Sequence, residues 1–269
     1  MKLLHTGQFH GQTNNTVFLN GLTLTDTEYT QDKVDWHYHQ NAYFTFILQG
    51  NVIEGNKKEV FNCSAGDLLF HNWQEPHYNI KPRGFTRGFH IELQENWLQN
   101  LHFSLGNLTG SMNIKDPDLK LSLYKIFKET KINDQTSQLS IESLLLQVLK
   151  QIIKDVEMPS KKNPTWVTKI REILNETFCD KLTLSELSNS VGIHPSHLSR
   201  GFPIYFQCTI GNYIRKLKIQ KSLTLLPKKN ISLSAIAFEC GFADQSHFIR
   251  CFKDMLGIAP FTYRKLILS

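Results

Sequence analysis

No apolar run in the 269 residues approaches a membrane span, and the opening MKLLHTGQFHGQ lacks the apolar stretch of a signal peptide. Both absences lead to the expectation of a cytoplasmic protein with no membrane partner. Cysteine is scarce. The five, at 63, 179, 208, 240 and 251, are scattered, odd in number and form no CxxC pair. That spacing excludes a disulfide framework, fits a reducing compartment and reads as small buried apolar residues. Acidic residues are few in one part of the chain only. Residues 160–269 carry 16 Lys and Arg against 7 Asp and Glu, a net of +9, whereas residues 1–159 carry 14 against 17, a net of −3. A basic segment of this length is the electrostatic footprint of a phosphate-backbone binder. The 41% hydrophobic content is enough for ordinary cores in one or two domains.

A stretch with two prolines and no periodicity, DVEMPSKKNPT at 155–165, reads as a boundary. It divides the chain into a domain at 1–157, a linker at 158–165 and a second domain at 166–269. In the first, HYHQNAYFTFILQG, KKEVFNCSAGDLLFH and GFTRGFHIEL are short aromatic and β-branched runs punctuated by Gly-Asn, Gly-Asp and Pro. They predict strands of an antiparallel barrel or sandwich. Helical periodicity follows at Leu119 to Phe127. A longer stripe then joins Ile141, Leu144, Leu145, Val148, Leu149, Ile152, Ile153 and Val156. This stripe either covers the open side of the barrel or pairs with its copy in a homodimer.

The basic segment contains one motif twice. LTLSELSNSVGI (182–193) lies over ISLSAIAFECGF (231–242) at an offset of 49. One inserted residue later, Leu198, Arg200, Phe202 and Tyr213 lie over Phe248, Arg250, Phe252 and Tyr263 at an offset of 50. Each copy predicts a helix opened by an N-cap (Thr183, Ser232), a glycine corner and a second helix with an apolar inner face. Thr183 with Glu186 has the spacing of a capping box. This is the helix-turn-helix plan. A plain helical repeat would not explain an arginine at the same outward place in both second helices. A reading helix needs such groups, because arginine bonds guanine O6 and N7 together, while Ser, His and Gln meet other base edges. The outward candidates are Ser196, His197, Ser199 and Arg200 in the first copy, and Gln245, Ser246, His247 and Arg250 in the second, with Lys253 set to reach phosphate.

These paired units, ending in GFADQSHFIRCFKDMLGIAPFTYRK, resemble the AraC/XylS family of transcriptional regulators. Gly241, Phe242, Asp244, Ser246, Phe248, Arg250, Phe252, Lys253, Gly257, Pro260, Tyr263 and Arg264 match the family pattern, and the likeness covers about the last hundred residues. The resemblance implies seven helices, a central helix at about Ile210 to Leu226, two recognition helices in adjacent major-groove turns of double-stranded DNA, and activation through RNA polymerase. The first unit departs from the pattern at Gly201, Pro203 and Gln207. A proline inside a helix costs about 3 kcal/mol and a glycine about 1 kcal/mol relative to alanine, so the second helix of this unit is expected to kink at Pro203, leaving the second unit to carry more of the specificity.

In the first domain, His37 and His39 share one face of a strand because side chains alternate, and His77 follows Pro76. Over residues 30–95 this is similar to the cupin-type sensor barrel of the same regulators. The implied fold class is multidomain α and β, a cupin-like β-barrel with trailing helices followed by an all-α double helix-turn-helix. Metal-binding cupins add a glutamate where this chain has Tyr43 and Phe44, so no metal or other cofactor is expected, although His37, His39 and His77 could supply three nitrogens. His37, His39, Tyr43, Phe46 and His77 are the candidate pocket residues. Trp36, Tyr38, Tyr43, Phe44, Phe46, Trp73 and Tyr78 crowd this segment. Half must face the interior, which predicts an aromatic, mostly apolar cavity with a few polar groups for a small organic effector, with sugar as one lead. His90 and Glu92 read as ordinary strand residues. The function expected is therefore effector-controlled transcription regulation without enzyme activity. The alternatives are a metal-dependent cupin enzyme with a DNA-binding appendage, and a ligand-independent regulator whose barrel only oligomerises.

Overall fold

The computed structural model describes residues 1–102, 105, 108, 110–157 and 164–268. Within the expected linker, residues 158–163 lie outside the described residues, as does the side chain of Val156. The chain divides into two compact units, Met1–Glu157 and Met158–Ser269.

The first unit begins with β1 (Lys2–Leu4), β2 (Gln12–Leu19), β3 (Leu22–Glu28), β4 (Lys33–His39), β5 (Ala42–Gln49) and β6 (Asn51–Asn56). It continues through β7 (Val60–Ser64), β8 (Leu68–His71), β9 (His77–Ile80) and β10 (Arg87–Leu93), then α1 (Glu95–Asn100), β11 (Ser111–Ile114), α2 (Pro117–Ile132) and α3 (Ser137–Glu157). The strands form two sheets, β1-β4-β9-β6-β7 and β11-β8-β5-β10-β3-β2. No ladder among the described residues joins one sheet to the other, so the expected barrel is an open pair of sheets.

Parity along the strands decides what each face does. Residues directly opposite in antiparallel strands share a face. His90 pairs with Thr25 on β3 and Thr45 on β5, and Glu92 pairs with Thr23 and Tyr43. One face of the six-stranded sheet is therefore polar, built from alternate residues of β3, β10 and β5. The other carries Leu24, Ile91, Phe44, Phe46, Phe89 and Phe70, all buried. That apolar face is covered by α2, with Phe46 edge-on to Tyr124 and Phe89 edge-on to Phe127. The α2 helix starts cleanly because the Asp116 side chain accepts from the N–H groups of Asp118 and Leu119 ahead of Pro117. In α3, Ile141, Leu145, Val148, Leu149 and Ile152 are only 0–4% exposed, while Leu144 and Ile153 of the same stripe are half-buried; the helix packs against α2. Between the sheets, Ile47 and Leu69 meet Val52 and Cys63 in a small apolar cluster.

The second unit contains α4 (Thr165–Thr177), α5 (Leu184–Val191), α6 (Pro195–Phe206), α7 (Ile210–Leu225), α8 (Leu233–Glu239), α9 (Gln245–Leu256) and α10 (Pro260–Leu268). Both corners close in the same way. Gly192 N–H bonds Asn189 O and Ile193 N–H bonds Ser188 O, while Gly241 N–H bonds Phe238 O and Phe242 N–H bonds Ala237 O. This is the Schellman pairing, which requires a left-handed residue; Gly192 has φ 71° and Gly241 φ 70°. The helices that enter these corners are capped by Thr183, in a full capping box with Glu186, and by Ser232. Leu198, Phe202 and Tyr213 are buried as are Phe248, Phe252 and Tyr263, so the repeat in sequence is a repeat in packing.

Pro203, where a kink is expected, does not end the helix: α6 runs through it to Phe206 and matches α9 in length, 12 residues each. Proline deletes one backbone hydrogen bond, and tertiary packing offsets it. Phe202 stacks on Phe206 at 4.0 Å, and both meet Tyr213 edge-on. Gly201 makes room for an indole, since a Cβ there would come within 3.2 Å of Trp166. The helix ends on Gln207 at φ 54°, whose N–H bonds Pro203 O and whose side chain donates to Ile204 O.

Candidate functional site

The second unit exposes the candidate stripes of α6 and α9. Ser196, His197, Ser199 and Arg200 are exposed on α6, and Gln245, Ser246, Arg250 and Lys253 are exposed on α9. His247 differs from the others, being half-buried and edge-on to Phe242 at 5.4 Å. The start of each helix is fixed by a side chain that the motif alignment did not single out as a cap. His194 accepts from Ser196 N–H, and the Asp244 carboxylate accepts from His247 N–H at 2.7 Å. Local contacts pre-orient several candidates. Ser196 Oγ lies 2.8 Å from His194 Nδ1, Arg200 Nε donates to Ser196 O at 3.2 Å, and the Ser234 hydroxyl donates to Gln245 Oε1. The corner before α9 is braced by Lys218, whose ammonium donates to Gly241 O.

The first unit holds a cleft of about 450 Å³, counting its open mouth. Its lining includes His37, His39, Tyr43 and His77, as expected from the sequence, together with Glu54 and His90, which were not. Phe46 does not line it. Positions 43 and 46 are separated by an odd number of steps on β5, so with Tyr43 facing the cleft Phe46 must face α2. Of the seven aromatics, half of which were expected to face the interior, Tyr43 alone lines the cleft; Trp36 and Trp73 are exposed. The wall of the cleft is more apolar than polar, as expected, but five histidines and a carboxylate are also among its lining residues. Strand alternation in GFHIEL already placed His90 and Glu92 on one face. What it lacked was which face turned inward.

Burial governs the charge of this cleft. It pushes His77 and His90 down to about 3 and His39 well below the ordinary imidazole value, the last helped by neighbouring imidazoles. These rings are therefore neutral near pH 7. Burial opposes ionisation of Glu54, but the adjoining His71, His77 and Asn79 outweigh it and hold the carboxyl at about 2. Glu54 Oε1 is 2.9 Å from His71 Nε2, out of line for a good hydrogen bond, and Glu54 Oε2 accepts from Asn79 at 3.1 Å.

Glu92 behaves in the opposite way. Burial raises it to about 7, and the Gly7 N–H and the neighbouring Asn41 amide pull it only part of the way back. Its Oε1 has no hydrogen-bond partner among the described residues, and Tyr43 and Thr23 flank it across the sheet. A folded-state value above the ordinary 4.5 means that this group's contribution to stability is complete below about 4.5 and lost as pH rises through about 7. Glu92→Gln should match wild type at pH 4.5 and exceed it at pH 8 by up to about 3 kcal/mol, at about 1.4 kcal/mol per pKa unit. Urea unfolding of both proteins at both pH values measures this. A stability difference independent of pH would show that the carboxyl does not titrate near neutrality.

Both units resemble known domains. A family model described as AraC-like ligand binding domain matches residues 19–149, and one described as helix-turn-helix domain matches residues 187–266. An uncharacterised HTH-type transcriptional regulator of Staphylococcus aureus is 22% identical over 87% of this chain, which spans 33% of that relative's length. YdeC of Bacillus subtilis, an uncharacterised HTH-type transcriptional regulator, is 24% identical over 86% of each chain, and the Msm operon regulatory protein of Streptococcus mutans is 19% identical over 93% of this chain and 95% of its own. Among solved structures, ToxT from Vibrio cholerae O395 aligns at 14% identity and a TM-score of 0.39, covering 93% of this chain and 100% of that one. With an open two-sheet domain matched to a ligand-binding family and a duplicated helix-turn-helix unit matched to its partner domain, this chain belongs to the AraC family of transcriptional regulators.

Proposed function

We propose that the chain is a one-component regulator in which a small polar effector enters the cleft of the first unit and controls how the second unit grips double-stranded DNA. The observation that carries the DNA side is the register of Arg200 and Arg250: an offset of 50 residues, equal exposure, and the same place on two helices of equal length. Ser196, His197, Ser199, Gln245 and Ser246 supply further base-edge donors and acceptors, Lys253 meets phosphate, and the half-buried His247 serves more as a brace for the corner. Because α6 continues through Pro203 for the full length of α9, both units are assigned reading roles. The effector must bind one arrangement of the protein better than the other, or it shifts nothing. The histidines and carboxylate of the lining support a hydrogen-bonding effector, and the sugar lead has no aromatic platform beyond Phe9, Tyr29 and Tyr43. Activation through RNA polymerase, action as a homodimer and a cytoplasmic location belong to the same reading and rest on the family. Most of the α3 stripe is already buried, which leaves only the half-buried Leu144 and Ile153 among its described residues for a homodimer contact.

Selection of bound fragments from random DNA with the full chain supplies the operator, and gel-shift titration of variants tests the assignment. Arg200→Ala and Arg250→Ala should each cost about 1–3 kcal/mol, roughly 5- to 150-fold, in specific affinity and relax the base preference at one position each. Lys253→Ala should weaken binding to all sequences alike and flatten the salt dependence by about one counterion. If both arginine variants keep the wild-type ratio of specific to non-specific affinity, the reading faces are elsewhere.

A further inference from the structure

The effector reading uses the cleft as a pocket and gives no reason for three imidazoles to converge at its wall. We propose that His37, His39 and His77 form a binding site for one divalent transition-metal ion of the zinc class. Strand pairing brings them together. His37 and His39 share a face of β4, and His77 on β9 lies directly across from His37. One ring nitrogen from each lies within 4.8 Å of the others, and the three residues are only 2–3% exposed.

Two of the rings are held in the same way. His37 Nδ1 lies 2.9 Å from Asp35 O, and His77 Nδ1 lies 3.0 Å from Glu75 O, each a backbone carbonyl two residues upstream. A carbonyl only accepts, so each Nδ1 must carry the proton, and each Nε2 turns a lone pair away from the carbonyl. Clamping the remote nitrogen in this manner is how proteins orient a ligating imidazole. The third ring has no such explanation as a packing residue. Among the described residues, His39 Nδ1 is buried without a hydrogen-bond partner, a placement that costs free energy unless something else takes up the nitrogen. A core seeking only apolar contact would fill this space with apolar side chains, as the Ile47, Val52, Cys63 and Leu69 cluster between the same two sheets does.

The donor set selects the ion. Three neutral nitrogens suit zinc, copper, nickel or ferrous iron, whereas calcium and magnesium demand oxygen. Zn–N bonds of about 2.0–2.1 Å require the nitrogens to close inward from their present spacing, a movement that side-chain rotation provides. Tyr43 stands where a metal-binding cupin would place its glutamate. Its hydroxyl lies 3.0 Å from His77 Nε2, so it must yield that nitrogen for the ring to ligate. Three protein ligands would leave a position open to a water or an effector oxygen. The buried Glu54 carboxylate lines the same cleft and adds an attraction for a cation. This assignment revises the expectation, drawn from the missing glutamate, that the domain takes no metal.

The test uses the full chain without DNA or effector, so its result is independent of the regulatory reading. Chelator-treated protein is titrated with Co²⁺, followed by its visible absorption, and with Zn²⁺, followed by calorimetry and by elemental analysis after dialysis. Wild type should take up one equivalent, gain thermal stability with metal, and show the absorption of nitrogen-coordinated cobalt of low coordination number. His39→Ala should lower affinity by about 100-fold or more, beyond the usual loss for a residue that merely orients a ligand. His90→Gln, which changes another imidazole of the same cleft, should retain one equivalent. The circular dichroism of each variant is compared with wild type, and the wild-type titration decides the matter even if His39→Ala fails to fold. Substoichiometric uptake by folded wild type, or uptake by folded His39→Ala equal to wild type, would overturn the proposal.

Discussion

Asp26→Asn should destabilise the first unit by about 3–5 kcal/mol, the range for removing one partner from a buried ionic cluster. Asp26 is 3% exposed on β3 and faces the apolar side of its sheet, where a carboxylate has no water to replace its hydration. Two cations hold it there. Arg87 from β10 donates through Nε at 2.7 Å and Nη2 at 2.5 Å, and Lys131 from α2 donates at 3.0 Å. Both cations also lie over the Phe127 ring, at 5.6 and 5.3 Å. Burial pushes the carboxyl up, but Arg87 and then Lys131 more than reverse this, so its pKa is depressed. A depressed carboxylate contributes stability above its unfolded-state pKa and loses it as pH falls through the folded one. The wild-type advantage over Asp26→Asn should therefore be full at pH 7 and fade in acid. Urea titrations at pH 7 and near pH 3 measure both parts. A loss below about 1 kcal/mol at pH 7, the value of an exposed pair, would mean that the cluster is solvated.

Gly241→Ala and Gly192→Ala should differ sharply although the two glycines have almost the same backbone conformation. A left-handed non-glycine residue costs about 1–2 kcal/mol at either place. At Gly192 a Cβ meets nothing within 4 Å, so that strain is the whole cost. At Gly241 the Cβ would stand 2.3 Å from Cys179 O and 2.9 Å from Cys179 Cα, backbone atoms that cannot rotate away. Overpacking adds about 1–3 kcal/mol, for a total of about 2–5 kcal/mol. The extra displacement falls on the corner that aims α9, with its Lys218 brace, so Gly241→Ala should also lose specific DNA binding at temperatures where Gly192→Ala retains it. Thermal unfolding and gel shifts on both variants test this. Equal destabilisation of the two would mean that the segment around Cys179 gives way freely.

The architecture of the second unit was readable from local pattern. Apolar residues at three- and four-residue steps, capping residues such as Thr183 and Ser232, and glycine at a left-handed corner all act within one or two helical turns. A second copy of the motif at an offset of 49 to 50 residues then placed Arg200 and Arg250 outward together. Pro203 shows where local reasoning ends. Propensity penalises proline in α6, but stacking of Phe202 on Phe206 and their contact with Tyr213 carry the last turn through it.

In the first unit, alternation showed which residues share a face, so His37 and His39 were grouped from the start, and Tyr43 parted from Phe46 by the same rule once applied. Alternation is symmetric, however, and does not say which face turns toward the opposing sheet. Here the apolar face of the six-stranded sheet went to α2, leaving threonines, His90, Glu92 and Tyr43 toward the interior. The groupings that matter most link distant positions: Glu54 with His71, Asp26 with Arg87 and Lys131, and His37 with His77 across two strands. Periods of 2 and 3.6 residues set the orientation of neighbours along the chain, and local chemistry is enough to read them. Contacts spanning tens of residues depend on how sheets and helices stack, and no local period encodes that.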